Sequence, residues 1–342
     1  MNLHFLRKLP IPKEIKEAYP VAAADAAVKE SRDRIIRGIL EGRDDRFLLV
    51  IGPCSADRAE PVLEYLSRLR RLEDETRDRL LLIPRLYTNK PRTRGEGYMG
   101  MLHQPDPDGA PDLLSGLIAI RSLHLRALAD YGFSCADELL YPDNHRYLSD
   151  LLSYVAVGAR SVEDQYHRLT ASGLSIPVGM KNRCDGDLSA MLNAIRTANG
   201  PHAFLYRGWE VQSEGNPLAH AVLRGGMDQN GRYLPNYHEE DLRHLCDLFA
   251  GTDIPCPAAL VDTNHANSGK RWEKQPEIAL EVMAARRHDP AVRRTVRGLM
   301  IESYLLDGAQ PVGGGLFGCS ITDPCLGWDK TRELVLRIAD RA

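Results

Sequence analysis

The sequence lacks a large net charge, paired cysteines and long apolar segments, and each absence removes a class of protein. Its 342 residues carry a net charge of −3 with both signs well mixed, so nothing favours binding to nucleic acid or to an anionic membrane. The seven cysteines form no CxxC pair, the amino terminus has no apolar signal core, and no apolar run approaches the roughly 18 residues of a membrane span. We therefore expect a cytoplasmic protein without disulfides.

The chain also lacks a Walker-type phosphate loop, which weakens an interpretation as an open nucleotide-binding sheet. What it contains is an alternation of apolar strand-like runs with helices of roughly 10 to 20 residues. Eight such units predict a (β/α)₈ barrel over residues 46–342. Residues 1–45 precede it as a proline-interrupted arm with an amphipathic helix over Ala23–Glu41. The irregular segment Tyr206–Glu214 predicts a short hairpin insertion, which we place after the sixth strand.

Polar side chains stand where the predicted strands end. The run Leu48–Ile51 stops at Gly52-Pro53 and is followed at once by Cys54, which could equally be a small core residue. In a barrel, however, the carboxyl ends of the strands and the loops after them build the active site. The eight predicted ends carry Cys54, Arg85, Glu138, Arg160, Lys181, Arg224, His265 and Glu302.

Four of these residues are cations: Arg85, Arg160, Lys181 and Arg224. A buried cation is costly unless an anion compensates it, so their convergence on one barrel end predicts a polyanionic ligand. Phosphates and carboxylates are the natural candidates, because guanidinium groups bind them in bidentate geometry. Any one of the four could instead form a salt bridge to a neighbouring acid.

A second group, Cys54, His265, Glu302 and Asp323, combines soft, borderline and hard metal ligands. These residues would be neighbours if the first and eighth strands close the barrel. Such a donor set suits Mn, Fe, Co or Zn better than Mg or Ca. His265 could alternatively be a hydrogen-bonded structural histidine.

Ten short motifs occur in one order from about Ala23 to the carboxyl terminus and together resemble the microbial class I 3-deoxy-D-arabino-heptulosonate 7-phosphate (DAHP) synthases. The resemblance implies a metal-dependent barrel that condenses phosphoenolpyruvate (PEP) with erythrose 4-phosphate, the first step of aromatic biosynthesis. It also implies a homodimer or homotetramer. The motifs are Ile51-Gly-Pro-Cys-Ser55, Lys90-Pro-Arg-Thr93, Gly158-Ala-Arg160, Gln165-x-His167-Arg168, Pro177-Val-Gly179, Asp185-Gly186, Leu223-Arg-Gly-Gly226, His265-Ala-Asn-Ser268, Ile301-Glu-Ser303 and Ser320-Ile-Thr-Asp323.

The resemblance also implies a role for each matching residue. The metal, with Mn²⁺ as our first expectation and Fe²⁺, Co²⁺ or Zn²⁺ as alternatives, would be held by Cys54, His265, Glu302 and Asp323. The phosphate of the aldose would be held by Arg92 and Thr93. Catalytic roles would fall to Cys54, Lys90, Lys181 and His265. PEP would be bound by Arg85, Lys90, Gly158, Ala159, Arg160, Lys181 and Arg224, with Glu138 nearby.

The chain departs from the family pattern around this site. The segment Arg94–Met99 is one residue longer than usual, with Met99 in place of a lysine; Met227 replaces a second lysine and an insertion follows it. Arg94 and Arg183 could replace part of the lost charge. The insertion Tyr206–Glu214 is about five residues shorter than in the family, so we expect weak feedback inhibition by aromatic amino acids.

Three functions therefore stay open. The first is DAHP synthesis, for primary or specialised metabolism, and the second is the same condensation with another phosphorylated aldose. The third is a non-catalytic barrel that binds phosphorylated ligands. The presence of all four presumed metal ligands opposes the third, because a binding-only protein has no need of them.

Overall fold

The predicted barrel is confirmed. The structure is a computed structural model that describes residues 2–91 and 97–342. Eight parallel strands form one sheet: β1 (Phe47–Gly52), β2 (Leu80–Pro84), β3 (Cys135–Glu138), β4 (Leu152–Val157), β5 (Val178–Lys181), β6 (Ala219–Leu223), β7 (Ala259–Asp262) and β8 (Val296–Glu302). Their order in the sheet is β2-β1-β8-β7-β6-β5-β4-β3. A bridge between Arg85 and Ala136, with the Leu86 amide donating to the Ala136 carbonyl at 2.9 Å, joins the two edges of the sheet and closes the barrel.

Ten α-helices surround or precede the barrel in the described residues. They are α1 (Pro12–Ala18), α2 (Ala23–Leu40), α3 (Ala59–Thr76), α4 (Leu113–Tyr131), α5 (Gln165–Ser172), α6 (Ser189–Asn199), α7 (Glu239–Ala250), α8 (Gln275–His288), α9 (Pro290–Thr295) and α10 (Trp328–Ala339). Two short 3₁₀ helices lie at Pro142–Tyr147 and Trp272–Lys274. No helix in this described part has the length and apolarity needed to cross a membrane.

Strand residues alternate between two buried layers because successive side chains of a strand point to opposite faces. In β1, Phe47, Leu49 and Ile51 pack into the layer shared with the helices, whereas Leu48 and Val50 face the barrel interior. Burial on both faces explains why the strands read as continuous apolar runs.

Helix α2 closes one end of the barrel. Its residues Ile36, Ile39 and Leu40 join the interior cluster, and the helix ends only a short turn before β1 begins. The amino-terminal end of the barrel is therefore filled by apolar side chains. The opposite end, where the strands finish, is left for polar residues.

The predicted hairpin exists, but its position needs a correction. Ala203–Tyr206 pairs antiparallel with Trp209–Gln212, and this hairpin lies between α6 and β6, so it precedes the sixth barrel strand. Its two turn residues, Arg207 and Gly208, have φ of 53° and 80°, as a tight two-residue hairpin turn requires.

A second small hairpin does follow β6. Gly226–Met227 pairs antiparallel with Tyr233–Leu234, and we call residues Gly226–Leu234 the mouth hairpin. The Asp228 carboxylate shapes its turn by accepting hydrogen bonds from the amides of Asn230 and Arg232, both at 2.9 Å. This is the insertion that the sequence places after Met227.

Candidate active site at the open end of the barrel

A cavity of about 230 Å³ opens at the carboxyl ends of the strands. Ten of the predicted site residues line it: Arg85, Lys90, Glu138, Gly158, Ala159, Arg160, Lys181, Arg224, His265 and Asp323. The predicted residues Arg92 and Thr93, and Arg94 beside them, lie outside the described residues. The remaining two predicted residues, Cys54 and Glu302, are fully buried beside Asp323.

Arg85 is fully buried at the base of the cavity, where Gly52 makes room for it. A Cβ on Gly52 would lie 2.6 Å from the Arg85 carbonyl oxygen and 3.0 Å from its Cγ. Arg85 Nη2 donates to Glu302 Oε1 at 3.0 Å and the guanidinium stacks 4.0 Å from the Tyr87 ring centroid. Nη1, by contrast, is buried with no hydrogen-bond partner in the described chain. A buried donor without a partner is costly, so Nη1 is suited to an anionic ligand.

The charge of Arg85 also acts on Glu302. Burial alone would raise the pKa of the Glu302 carboxyl, but the charges of Arg85, His265 and Lys90 hold it below its usual value. The second carboxylate oxygen accepts from Asn264 Nδ2 at 2.6 Å. Glu302 is thus ionised and held in one orientation.

Lys181 and Asp262 form a second buried ion pair. Lys181 Nζ lies 3.0 Å from Asp262 Oδ2, and both side chains are inaccessible or nearly so. Burial opposes ionisation of Asp262, but His265 and Lys181 hold its pKa well below the usual value. Lys181 therefore lines the cavity while Asp262 holds its ammonium group in place.

The cations differ in burial more than the sequence suggests. Arg85 is 0% exposed and Lys181 5%, whereas Arg160 is exposed and Arg224 half-buried. The argument that a buried cation requires an anion therefore applies to Arg85 and Lys181, and not to Arg160.

Cys54, Glu302 and Asp323 form a group that could hold a metal ion, with ligand atoms all within 4.8 Å of one another. Burial and the charge of Glu302 raise the pKa of the Cys54 thiol to about 12, although Lys90 opposes this. Lys90 Nζ lies 2.7 Å from Cys54 Sγ. Despite partial burial, the charges of Lys90, His265 and Lys270 lower the pKa of Asp323 to about 2. The donor set of one sulfur and two carboxylates fits a borderline transition metal.

His265 lies beside this group but is not one of its three members. Its backbone is left-handed with φ 50°, and Nδ1 lies 2.9 Å from Asp262 Oδ2 in an ion-pair contact that lacks hydrogen-bond geometry. Its role as a fourth ligand stays a prediction.

Gly158 supports the expectation that backbone helps to bind the ligand. A Cβ at this position would lie 2.5 Å from Glu138 Oε1. A side chain at this position would therefore displace the Glu138 carboxylate, which borders the cavity.

Sequence reasoning missed Tyr87, Pro91, Cys184 and Lys270, which also line the cavity. Lys270 is the informative omission, because it adds a cation five residues after His265 in the same loop. The sequence prediction took only the first polar residue after each strand, so it did not include Lys270. Gly269-Lys270 nevertheless follows the His265-Ala-Asn-Ser268 motif directly.

The residues proposed to restore lost charge behave differently. Arg183 pairs with Glu163 at 2.9 Å and Asp185 at 2.8 Å, and it is not among the cavity-lining residues of the described chain. Neither Met99 nor Met227 lines the cavity in that part of the chain. The Met99 carbonyl accepts from the Lys90 amide at 3.0 Å, so this residue contacts the site through its backbone.

A parallel barrel whose open end joins buried cations to a Cys-Glu-Asp group defines a barrel enzyme for anionic substrates with a place for a metal ion. The model of the DAHP synthetase I family matches residues 19–336, and the chain belongs to that family.

Relatives match over nearly the whole chain. The Tyr-sensitive phospho-2-dehydro-3-deoxyheptonate aldolase of Salmonella typhimurium is 39% identical over 340 residues, covering 96% of this chain and 92% of the relative. The Trp-sensitive enzyme of Escherichia coli K12 is 37% identical, covering 98% and 95%. A solved structure of the aldolase from Francisella tularensis superposes with a TM-score of 0.92 at 29% identity, covering 99% of this chain and 98% of that one.

Proposed function

We propose that the protein condenses PEP with erythrose 4-phosphate and water to give DAHP and inorganic phosphate, the first step of the shikimate pathway. The membership in the DAHP synthetase I family supports this reaction. The observation that carries it is the buried, unpartnered Arg85 Nη1 in a cation-lined cavity that adjoins the Cys-Glu-Asp group.

PEP occupies the interior of the cavity in this proposal. Its phosphate and carboxylate need several cations, and Arg85, Lys181 and Arg224 surround the space with Lys90 beside them. The backbone of Gly158-Ala159 completes one wall. Fixed cations hold the reactant in register and cost no reorganisation when charge develops.

The metal ligands are Cys54, Glu302 and Asp323, with His265 as the fourth. A bound divalent ion would act as a Lewis acid that polarises the aldehyde of the acceptor. Mn²⁺ is our first choice among the ions that this donor set accepts. Because the Cys54 thiol has its pKa raised to about 12, metal binding must release its proton, and Lys90 supplies the positive charge that favours the thiolate.

The chain's own groups then serve the bond-making steps. The methylene carbon of PEP bonds to the aldehyde carbon while the aldehyde oxygen takes up a proton. Water then adds to the cationic C2 of PEP and loses a proton, and the C2–O bond to phosphate breaks as the C2 carbonyl forms. Glu138 borders the cavity and is a candidate to orient that water. Arg92 and Thr93 remain the proposed site for the acceptor phosphate.

The proposal extends to the setting of the enzyme. All seven cysteines lie in the described residues and are free, which fits a reducing cytoplasm. We propose a homodimer or homotetramer, as the family resemblance implies, and size-exclusion chromatography with light scattering measures this directly.

The deciding experiment is a PEP-consumption assay with erythrose 4-phosphate and Mn²⁺. We expect PEP loss and stoichiometric phosphate release that require both substrates, stop after chelation and return when Mn²⁺ is restored. Full turnover after chelation contradicts the metal assignment. PEP binding without consumption favours the non-catalytic barrel, and equal or better turnover with another aldose phosphate reassigns the acceptor.

A further inference from the structure

Lys270 is a cation of the cavity for which the preceding assignments leave no role. Its side chain is 57% exposed and lies at the rim, unlike the buried Arg85, Lys90 and Lys181. Its Nζ lies 3.9 Å from Asp323 Oδ1, beyond hydrogen-bond distance, and within the described chain Asp323 is the one acid in ion-pair range. The ammonium donors are therefore available to a ligand.

Asp323 shows which way Lys270 faces. Cys54 and Glu302 are completely buried, whereas Asp323 is partly exposed, so the Cys-Glu-Asp group opens toward the mouth of the cavity on the side of Asp323. A substrate that reaches Asp323 from the mouth therefore comes close to Lys270, whose Nζ lies 3.9 Å from Asp323 Oδ1.

The loop that carries Lys270 is held in an unusual conformation. Gly269 and Lys270 both have left-handed backbones, with φ of 60° and 61°, and the Lys270 amide donates to the His265 carbonyl at 2.8 Å. Tyr233 of the mouth hairpin packs against this turn, because a Cβ on Gly269 would lie 3.2 Å from Tyr233 Cδ2. The mouth hairpin therefore packs against the turn that holds Lys270 in its strained conformation.

The mouth hairpin is itself anchored to both sides of the cavity. The Met227 amide donates to the Cys184 carbonyl at 2.8 Å, on the loop after β5. Just beyond the hairpin, the Asn236 amide donates to Asn267 Oδ1 at 2.8 Å, on the loop after β7. Cys184 and Lys270 line the cavity on these two loops, so the hairpin spans the rim between them.

We propose that Lys270 binds oxygen atoms of the phosphorylated aldose acceptor and that Tyr233 is a positioning residue for Lys270. This proposal rests on the proposed condensation. In this proposal the inserted hairpin determines acceptor specificity, and the interior cations bind PEP.

The test compares Lys270→Met, Tyr233→Ala, Tyr233→Phe and the control Lys274→Met by steady-state kinetics with Mn²⁺. Lys274→Met removes the same charge four residues away, from a residue that does not line the cavity. We expect Lys270→Met to raise the KM for erythrose 4-phosphate roughly 10-fold or more, the effect of losing a charge-assisted hydrogen bond, with the KM for PEP within about twofold. Tyr233→Ala should raise the same KM about fivefold, and Tyr233→Phe should behave as wild type because only the ring packs on Gly269.

The outcomes separate the two proposals. If the unmodified enzyme does not consume PEP with erythrose 4-phosphate, the proposed condensation is wrong. If it does, and Lys270→Met leaves the acceptor KM unchanged, the role of Lys270 is wrong. A Lys270→Met variant whose activity is restored by raising Mn²⁺ alone contradicts it as well, because Lys270 would then serve only to orient Asp323.

Discussion

The interior and the rim of the cavity differ in how deeply their charged side chains are buried and in how those charges are paired. The interior holds two buried ion pairs, Arg85 with Glu302 at 3.0 Å and Lys181 with Asp262 at 3.0 Å. At the rim, Arg160 and Lys270 are exposed, and an inserted hairpin joins two loops. The interior is preorganised for one ligand, whereas the rim can change without exposing a buried charge. Variation in the substrate is therefore expected at the rim, and the predictions below test that contrast.

The largest effect should follow removal of Cys54, the proposed sulfur ligand of the metal. Loss of a residue that hydrogen-bonds to a metal ligand lowers activity by roughly 10- to 100-fold. Cys54→Ala should lower Mn²⁺-dependent turnover by more than this, while the barrel stays folded. Cys256→Ala is the matched control, because its thiol is also buried but donates to the Leu40 carbonyl at the closed end of the barrel. Turnover, metal content and thermal unfolding are measured for both. An unfolded Cys54→Ala variant would instead make Cys54 a core residue.

The interior ion pair should matter for stability as well as for PEP. Arg85→Met leaves the Glu302 carboxylate buried without its guanidinium, which should lower the free energy of unfolding by about 3–5 kcal/mol. Lys270→Met removes an exposed charge and should change that free energy by less than about 1 kcal/mol. Urea unfolding of the metal-free proteins measures both. Equal destabilisation by the two substitutions would remove the distinction between interior and rim.

A smaller effect is expected at Met99. If Met99 occupies the place of the family's lysine, Met99→Lys should raise activity with erythrose 4-phosphate by roughly two- to fivefold, the range for a partly exposed ion pair. Initial rates at low erythrose 4-phosphate measure this gain in activity. Met101→Lys is not a suitable control, because Met101 is buried. Leu205→Lys is the better comparison, because it adds the same charge at a residue that is 73% exposed and does not line the cavity. Unchanged rates in Met99→Lys would show that the one-residue gap is placed wrongly.

The smallest effect should come from aromatic amino acids. The hairpin Ala203–Gln212 borders a cavity of about 220 Å³ lined by Thr170, Leu174, Phe204, Tyr206 and Val211 among others. None of its described lining residues carries an acid, lysine or arginine to meet the ammonium and carboxylate of a free amino acid. A second cavity of about 500 Å³, between residues 9–12 of the arm and Arg207 of the hairpin, does contain Asp143 and Arg207, but these two side chains pair with each other at 2.9 Å. With the hairpin shortened and these charges paired, phenylalanine, tyrosine or tryptophan should change the rate by less than about twofold. Inhibition at micromolar concentration by any of them would contradict this.

Sequence patterns predicted the barrel because its signals are local. Hydrophobic periodicity predicts continuous apolar strands such as Leu48–Ile51 and regular helices such as α2 and α7. The grouping of Cys54 with Glu302 and Asp323 was also predictable, since strand order in a barrel makes the first and eighth strands neighbours.

Other features depend on tertiary contacts that periodicity does not carry. Ala203–Tyr206 has a strand pattern, yet it pairs within a hairpin outside the barrel. The exposure of Arg160, the pairing of Arg183 with two acids, and the position of Lys270 all follow from loop geometry. Loops after barrel strands are where such geometry varies most.

Direct binding of PEP tests whether PEP occupies the interior of the cavity and the acceptor occupies the rim. Calorimetric titration of PEP into the Mn²⁺-loaded wild type, Arg85→Lys and Lys270→Met proteins needs no acceptor and no turnover. We predict that Arg85→Lys weakens PEP binding by at least about tenfold, because lysine cannot reproduce the guanidinium geometry, while Lys270→Met binds PEP as the wild type does. Loss of PEP affinity in Lys270→Met equal to that in Arg85→Lys would contradict the assignment of the interior to PEP and the rim to the acceptor.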